Sequence, residues 1–96
     1  MSMKKTSVKV TIVGEEHTIR SDEPPEHTRA VAEHVDRTIR AILDGGGANE
    51  PKKAAILASF QLTDDLFKER ANREEFAAQL RALSAEVRRM LPPAKR

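Results

Sequence analysis

The sequence predicts an α+β fold: an N-terminal β-hairpin and a short helix packed on the first half of a long helix, whose second half extends as a coiled coil. Three observations predict this fold. Apolar residues alternate with polar ones near the N terminus, a helical apolar stripe ends at a glycine cluster, and residues 52–91 hold no glycine or proline. We predict a globular head over residues 1–67, a coiled-coil extension over 68–91 and a tail over 92–96.

The hairpin is predicted over residues 7–20. Apolar and polar residues alternate from Val8 to Val13, which is typical of a half-buried strand. Gly14-Glu15-Glu16 is predicted as a tight turn in which Gly14 supplies the positive φ, and residues 17–20 return antiparallel. Two strands alone are barely stable in water, so the hairpin must pack on helices or pair with another chain.

The short helix is predicted over residues 25–43. Pro24 and Pro25 end the extended linker before it, and Pro25 suits a first helical turn. Residues spaced four, four and three apart form one apolar stripe, made of Val31, Val35, Ile39 and Ile42. The glycines at 45–47 then end the helix.

The long helix is predicted over residues 50–91, with Asn49 as its N-cap and Pro51 in its first turn. Such a helix is about 60 Å long at 1.5 Å per residue, which is too long for the core of a chain this small. Its first part, residues 50–67, carries a broad apolar face that we assign to the head: Ile56, Leu57, Phe60, Leu62, Leu66 and Phe67.

The apolar face narrows after residue 75. It continues at spacings of four, three, four and three through Phe76, Leu80, Leu83, Val87 and Met90. That spacing is the seam of a coiled coil, although the same stripe is compatible with an ordinary core. Glu69 and Arg73 interrupt the seam on the head side. We favour pairing between chains, because no other segment is left to cover these side chains.

Composition also favours self-association. The chain has 96 residues, three Phe, no Trp or Tyr and no Cys. A core this small and poor in aromatics needs help from disulfides, a metal or oligomerisation, and without cysteine oligomerisation is the natural source. The residues predicted to mediate it are Phe60, Leu62, Leu66, Phe76, Leu80, Leu83 and Val87.

Charge and hydropathy exclude several classes of protein. Seventeen basic and fifteen acidic residues are interspersed and give a net charge of +2, which is not the excess expected of a nucleic-acid-binding protein. No apolar run approaches the roughly 20 residues of a membrane span, and no signal-peptide pattern follows the N terminus. We therefore expect a cytoplasmic protein that binds neither nucleic acid nor membrane.

Nothing in the sequence indicates catalysis, a cofactor or a metal. His27 and His34 share a helical face but stand seven residues apart, and no third ligand is evident. Asp64 and Asp65 are adjacent on a helix, so their carboxylates diverge by about 100°. The glycines at 45–47 lack the Lys-Ser/Thr pair of a phosphate-binding loop. An enzyme is not expected.

Two basic clusters could serve a partner, and each could equally be a solvated helix face. Lys52 and Lys53 open the long helix, near Arg37 and Arg40 if the two helices form an antiparallel pair. The second cluster lies at the C-terminal end, in residues 88–89 and 95–96.

The order of these parts resembles the bacterial cell-division protein family ZapA. The resemblance spans about residues 8–90 and is carried by V-K-V-T-I-V-G with Ile19, the double-proline linker and the A-I-L-A-S-F-Q-L-T-D-D-L run at 55–66. It implies a homodimer formed through the heads, coiled coils that join two dimers into a homotetramer, and crosslinking of filaments of the tubulin-like protein FtsZ at the mid-cell division site.

The chain departs from the family pattern at Glu15, where relatives often carry Arg, at His17, where they often carry an aromatic or aliphatic residue, and at Gln61, where they often carry Asn. The resemblance implicates a charged residue at position 15 in the contact with FtsZ. The expected contact residues are Lys52, Lys53, Arg37, Arg40, Arg20 and Glu15. The alternatives are a nucleic-acid-associated coiled coil, which the interleaved acidic residues oppose, and a helical adaptor of another assembly.

Overall fold

A computed structural model describes residues 4–92 of the chain. It contains strand β1 (Thr6–Ile12), strand β2 (Glu15–Ser21), helix α1 (Pro25–Asp44) and helix α2 (Pro51–Met90). The chain divides into two compact units between residues 61 and 62, which we call the head unit and the helical unit. The predicted hairpin, short helix and long helix are confirmed. Except for residue 92, the predicted tail lies outside the described residues.

The hairpin turn is one residue earlier than predicted. Ile12 pairs directly with Glu15, so the loop consists of Val13 and Gly14 alone, and Glu15 and Glu16 belong to β2. Both loop residues have positive φ, 50° at Val13 and 76° at Gly14. Two-residue hairpin loops favour this conformation because its twist matches that of the strands. Only Gly14 was expected there, because a β-branched residue such as Val13 rarely adopts positive φ.

Helix α1 begins and ends close to the predicted residues. Pro25 lies in its first turn, and the acidic Glu26 stands at the positive end of the helix dipole. At its C-terminal end, the Gly45 N–H donates to the Ala41 carbonyl at 2.9 Å and the Gly47 N–H donates to the Ile42 carbonyl at 3.0 Å. Carbonyls that the helix leaves unpaired are thereby satisfied.

The predicted stripe of α1 faces the core at Val35, Ile39 and Ile42, and only Val31 departs from it. Val31 is 49% exposed, whereas Thr28, Ala32 and Ile39 are buried. Ala32 packs with Val8 and Val10 of β1. The small side chain of Ala32 suits a face packed against strand residues, and Val31 lies one residue away, about 100° around the helix.

A second cluster of the head unit joins α1 to the start of α2. Its buried members are Ile39, Ala48, Ala54 and Ala58. Three of the four are alanines. The buried contacts of α2 in the head unit therefore come from alanines four residues apart.

The broad apolar face predicted for the head core is not buried in the single chain. Phe60 is 76% exposed and Ile56 is 62% exposed. Leu57 is 39% exposed and Leu66 is 46% exposed, while Leu62 is half-buried. Phe60 is therefore not part of the core of the single chain, where Ala54 and Ala58 form the buried side of the helix. Its predicted place in an interface between copies stays a prediction.

Among the described residues, none of the helices is long and apolar enough to cross a membrane.

Candidate self-association and partner-binding surfaces

The predicted coiled-coil seam is exposed in the helical unit. Leu80 and Val87 keep 48% and 46% of their surface accessible, and Phe76 and Leu83 keep 61% and 60%. All lie on one helix at spacings of three and four, so they form one continuous stripe. Large apolar stripes of this kind mark surfaces that bury themselves against a partner.

The two charged residues that interrupt the stripe are paired with each other. Glu69 and Arg73 occupy the seam spacing between Leu66 and Phe76, and Arg73 Nε lies 4.0 Å from Glu69 Oε1. Their side chains are 64% and 82% exposed. The seam therefore contains one exposed pair of opposite charges with apolar residues on both sides.

Ion pairs also occur away from the seam. Lys68 Nζ lies 2.8 Å from Asp64 Oδ2, and this hydrogen bond raises the pKa of Lys68. The guanidinium of Arg70 lies 5.9 Å from the centre of the Phe67 ring, within cation–π range. Phe67 thus has a cationic neighbour on its own helix.

The hairpin is covered on only one of its strands. Val8 and Ile19 are paired, as are Val10 and His17, so these four side chains share one face. Val8 and Val10 are 3% and 6% exposed, whereas Ile19 is 39% exposed and every residue of β2 before Ser21 is exposed. The inner face of β2 therefore remains open in the single chain.

The predicted partner-binding residues fall into separate places. Glu15 pairs with Ile12 and lies on the inner face of the hairpin, whereas Arg20 pairs with Ser7 and lies on the outer face. Lys52 and Glu15 line one shallow depression of about 400 Å³ together with His17, whose Nε2 is 3.5 Å from Glu15 Oε1. The structure thus brings Lys52 to Glu15 and separates both from Arg20.

The arginines of α1 are compensated by acidic neighbours. Arg37 Nη1 is 3.0 Å from Glu33 Oε1, and Arg40 Nε is 3.0 Å from Asp36 Oδ2. Arg37 lines a different depression from Lys52, beside His34 and Gln61. A single basic patch of Lys52, Lys53, Arg37 and Arg40 was predicted. Because Arg37 and Arg40 are each paired with an acidic side chain, they add little net positive charge to the predicted patch.

Asp36 has a role that the sequence patterns did not reveal. Its Oδ1 accepts a hydrogen bond from the Val13 N–H at 2.6 Å, which ties the hairpin turn to α1. This hydrogen bond, followed by the bond to Arg40 and the charges of Arg40 and Arg37, lowers the pKa of Asp36 against an opposing effect of desolvation. The Asp36–Arg40 spacing was a local signal for an ion pair, but the turn amide comes from 23 residues away.

No group of three or more His, Cys, Asp or Glu side chains that could hold a metal ion occurs among residues 4–92. His27 and His34 accordingly have no third ligand within this part of the chain.

Comparison with known proteins decides the family. Residues 8–91 match the family model described as "Cell division protein ZapA". The chain belongs to the ZapA family of cell division proteins. The predicted resemblance is therefore confirmed.

Individual ZapA relatives align with this chain over most of their own length. A ZapA from Geobacillus thermodenitrificans is 31% identical over 77 residues, which is 80% of this chain and 85% of that protein. A ZapA from a Geobacillus species, strain WCH70, is 32% identical over 83 residues, covering 86% and 92%. The solved structure of a ZapA mutant dimer from Geobacillus stearothermophilus is similar, with a TM-score of 0.68, 29% identity, and coverage of 83% of this chain and 93% of that one.

Proposed function

We propose that this chain is a non-enzymatic cytoplasmic protein that self-associates and crosslinks FtsZ filaments at the mid-cell division site. The family membership supports a role in cell division. The FtsZ partner follows from what the ZapA resemblance implies, and the similar solved structure is described as a dimer of its own chain.

The observation that carries self-association is the exposure of the apolar seam. Phe76, Leu80, Leu83 and Val87 are each about half exposed or more in the single chain. Burying one leucine completely contributes about 1.5–3 kcal/mol. A second helix placed on this stripe would gain such a contribution at several positions, so the paired state is favoured at moderate concentration.

The head unit offers a second surface of the same kind. Ile19 on β2 and Ile56, Leu57 and Phe60 on α2 are exposed. A head-to-head contact that covers such residues would leave the helical units free to pair with another dimer. We therefore propose a homodimer through the heads and a homotetramer through the seams.

Crosslinking would then follow from multivalency. A homotetramer carries several heads on one assembly, so one bound head raises the effective concentration of the others at a neighbouring filament. Weak individual contacts suffice for bundling, and none of this requires a catalytic group.

The contact with FtsZ is proposed at Lys52 and Lys53. Both are exposed, and neither forms an ion pair within residues 4–92. The resemblance implies an acidic filament, for which unpaired cations at a surface are complementary. Arg37 and Arg40 are already paired with acidic side chains, so we assign them a smaller share.

Sedimentation of polymerised FtsZ with and without this protein tests the proposal directly. The protein should pellet with the filaments and increase the pelleted FtsZ under conditions where separate filaments remain in solution. Its own mass is measured in parallel by light scattering. A protein that stays in the supernatant at every ratio would contradict the proposed function.

Charge reversal locates the contact. Lys52→Glu with Lys53→Glu should weaken co-sedimentation and flatten its salt dependence, because exposed charges mainly tune association rate and screening. The matched control reverses Lys4 and Lys5, a second adjacent pair of exposed lysines. If the 52/53 reversal leaves binding intact while Arg20→Glu removes it, the contact lies on the outer face of the hairpin instead.

A further inference from the structure

One edge of β1 is open to solvent in the head unit. Within the described residues the sheet contains only β1 and β2, so each strand has one edge without a partner strand. The pair that closes a two-residue loop, here Ile12 and Glu15, is hydrogen-bonded, and such pairs alternate with non-hydrogen-bonded ones along the ladder. The backbone groups of Ser7, Lys9 and Thr11 therefore point away from β2, and all three residues are exposed. We call these three residues the free edge of β1.

A carboxylate already binds the next donor along this edge. The Val13 N–H follows Thr11 in the same alternation and donates to Asp36 Oδ1 at 2.6 Å. Asp36 belongs to α1, which packs against β1 more than against β2. Within residues 4–92 no comparable acceptor faces the N–H groups of Ser7, Lys9 and Thr11. The structure thus accommodates a carboxylate beside this edge at one position and leaves three donors open to a partner.

A shallow depression is lined by both the free edge and α1. Its volume is about 330 Å³, and residues 9–11 form its strand side. Its helix side is formed by one face of α1, with Arg29, Ala32, Glu33 and Asp36. A chain laid along β1 therefore meets the strand backbone on one side and the side chains of this helix face on the other.

The charges around this depression favour an acidic occupant. Its two acidic residues, Glu33 and Asp36, are each paired with an arginine of α1 at 3.0 Å. Lys9 and Arg29 are exposed, and neither forms an ion pair within residues 4–92. The depression therefore presents two uncompensated cations, which attract carboxylates.

We propose that the free edge of β1 is a docking site for an extended acidic segment of another protein, which adds to the hairpin as a third strand. In this mode of recognition the backbone ladder supplies affinity, and side chains at alternate positions supply specificity. An acidic residue directly across from Lys9 shares its face of the sheet and pairs with it. The next residue of the segment lies on the opposite face, toward α1 and Arg29. This site is separate from the contact proposed at Lys52 and Lys53.

The free edge is unsuited to pairing with a second copy of β1. Lys9 is the central residue of the edge and the only charged residue of the strand. Two such edges paired about their centres place Lys9 against Lys9, and like charges directly opposite each other destabilise a strand pair. Lysine on an edge strand is a common means of preventing such pairing. An acidic strand replaces this repulsion with an ion pair.

Amide hydrogen exchange, measured by NMR on the full chain, tests the docking. The probe is a capped synthetic peptide of about six residues, a typical strand length, in which glutamate alternates with valine. Its dissociation constant comes from a chemical-shift titration. At about ten times that concentration, exchange at Ser7, Lys9 and Thr11 should slow about tenfold, while the amides of Val8 and Val10, which bond to β2, should change little. A peptide with lysine in place of glutamate should have no effect.

Proline substitutions test the backbone ladder, because proline lacks the N–H that an added strand requires. Thr11→Pro removes an N–H of the free edge. Thr18→Pro is the matched control, because Thr18 pairs with Lys9 at a non-hydrogen-bonded position and its N–H points away from β1. Proline is tolerated on edge strands where the N–H faces solvent. Thr11→Pro should raise the dissociation constant of the acidic peptide about tenfold or more, and Thr18→Pro should leave it unchanged.

Charge exchange tests the side-chain contact and does not depend on the folding of the proline variants. Lys9→Glu should raise the dissociation constant of the acidic peptide about tenfold or more, because like charges then face each other. The same variant should bind the lysine peptide more tightly than the wild type does, since the opposite-charge pair is restored.

Three results would overturn the inference. Protection of Ser7, Lys9 and Thr11 without peptide, at concentrations where the protein assembles, would mean that a second copy occupies the edge. Equal losses for Thr11→Pro and Thr18→Pro, or peptide protection on β2 alone, would exclude the free edge of β1 as the docking site. No binding of the acidic peptide at about 1 mM, or equal binding of the acidic and lysine peptides, would exclude an acidic partner strand.

Discussion

Replacing Leu83 by glutamate is the sharpest test of self-association through the seam. Leu83 is 60% exposed in the single chain, so about three-fifths of its side chain remains to be buried by a partner. Complete burial of leucine contributes about 1.5–3 kcal/mol, and the remaining share is about 1–2 kcal/mol per copy. The two copies together lose about 2–4 kcal/mol of association free energy, which raises the dissociation constant of pairing about thirty-fold to several-hundred-fold.

The assay is molar mass against concentration, by sedimentation velocity or by light scattering after size exclusion. Leu83→Glu should lower the oligomer order over a concentration range where the wild type is fully assembled. The head should stay folded, because its buried clusters are formed by residues 8–58 and do not include Leu83. Circular dichroism at a fixed concentration checks this point.

The matched control is Ala82→Glu, which introduces the same side chain one residue earlier, on the outward face. It should leave the mass curve unchanged. Identical curves for the wild type and Leu83→Glu would refute the reasoning, as would a wild type that stays monomeric at tens of micromolar.

Three further predictions concern the head unit. Ile39→Ala should cost about 2–5 kcal/mol of unfolding free energy, because Ile39 is 5% exposed, whereas Val31→Ala on the same helix should cost far less. Asp36→Asn should reduce the free energy of unfolding at neutral pH, because the pKa of Asp36 is lowered in the folded protein. The carboxylate stabilises the fold at pH values above its ordinary pKa of 3.8, and this contribution is lost as the pH falls through the folded-state pKa. Phe60→Ala should lower the melting temperature mainly at concentrations where the protein is assembled, because Phe60 is 76% exposed in the single chain.

Each of these three predictions would be contradicted by a different result. Equal losses for Ile39→Ala and Val31→Ala in urea unfolding would mean that α1 buries a different face. A stability difference between Asp36→Asn and the wild type that persists unchanged at a pH low enough to protonate Asp36 in the folded protein would exclude the carboxylate charge as its source. If Phe60→Ala abolished FtsZ bundling at unchanged oligomer mass and stability, Phe60 would belong to the partner contact.

Local patterns were sufficient to predict the elements and their order. The alternation from Val8 to Val13 and the proline and glycine residues around α1 act through the backbone within a few residues. The absence of glycine and proline from 52 to 91 likewise predicts a continuous helix from local propensity alone. The family could be identified for the same reason, since its motifs consist of these elements in this order.

The faces that these elements bury were decided by tertiary structure. Val31 and Ala32 are both apolar and adjacent, and only the approach of β1 determines that Ala32 is buried. Periodicity likewise cannot distinguish Ala54 and Ala58, which are buried, from Phe60, which is exposed. A large apolar side chain is the one that a sequence pattern assigns to the core, whereas close packing in the head selects small side chains at these positions.

Long-range polar contacts also depend on the fold. The bond from the Val13 N–H to Asp36 joins a strained turn to a helix 23 residues away, and no local signal pairs them. Glu15 and Arg20 are near in sequence, yet strand register puts them on opposite faces of the hairpin. The sequence by itself determined which elements form and which apolar stripe no other segment of the chain covers. The tertiary structure decided which side chains meet, because that depends on how distant elements approach one another.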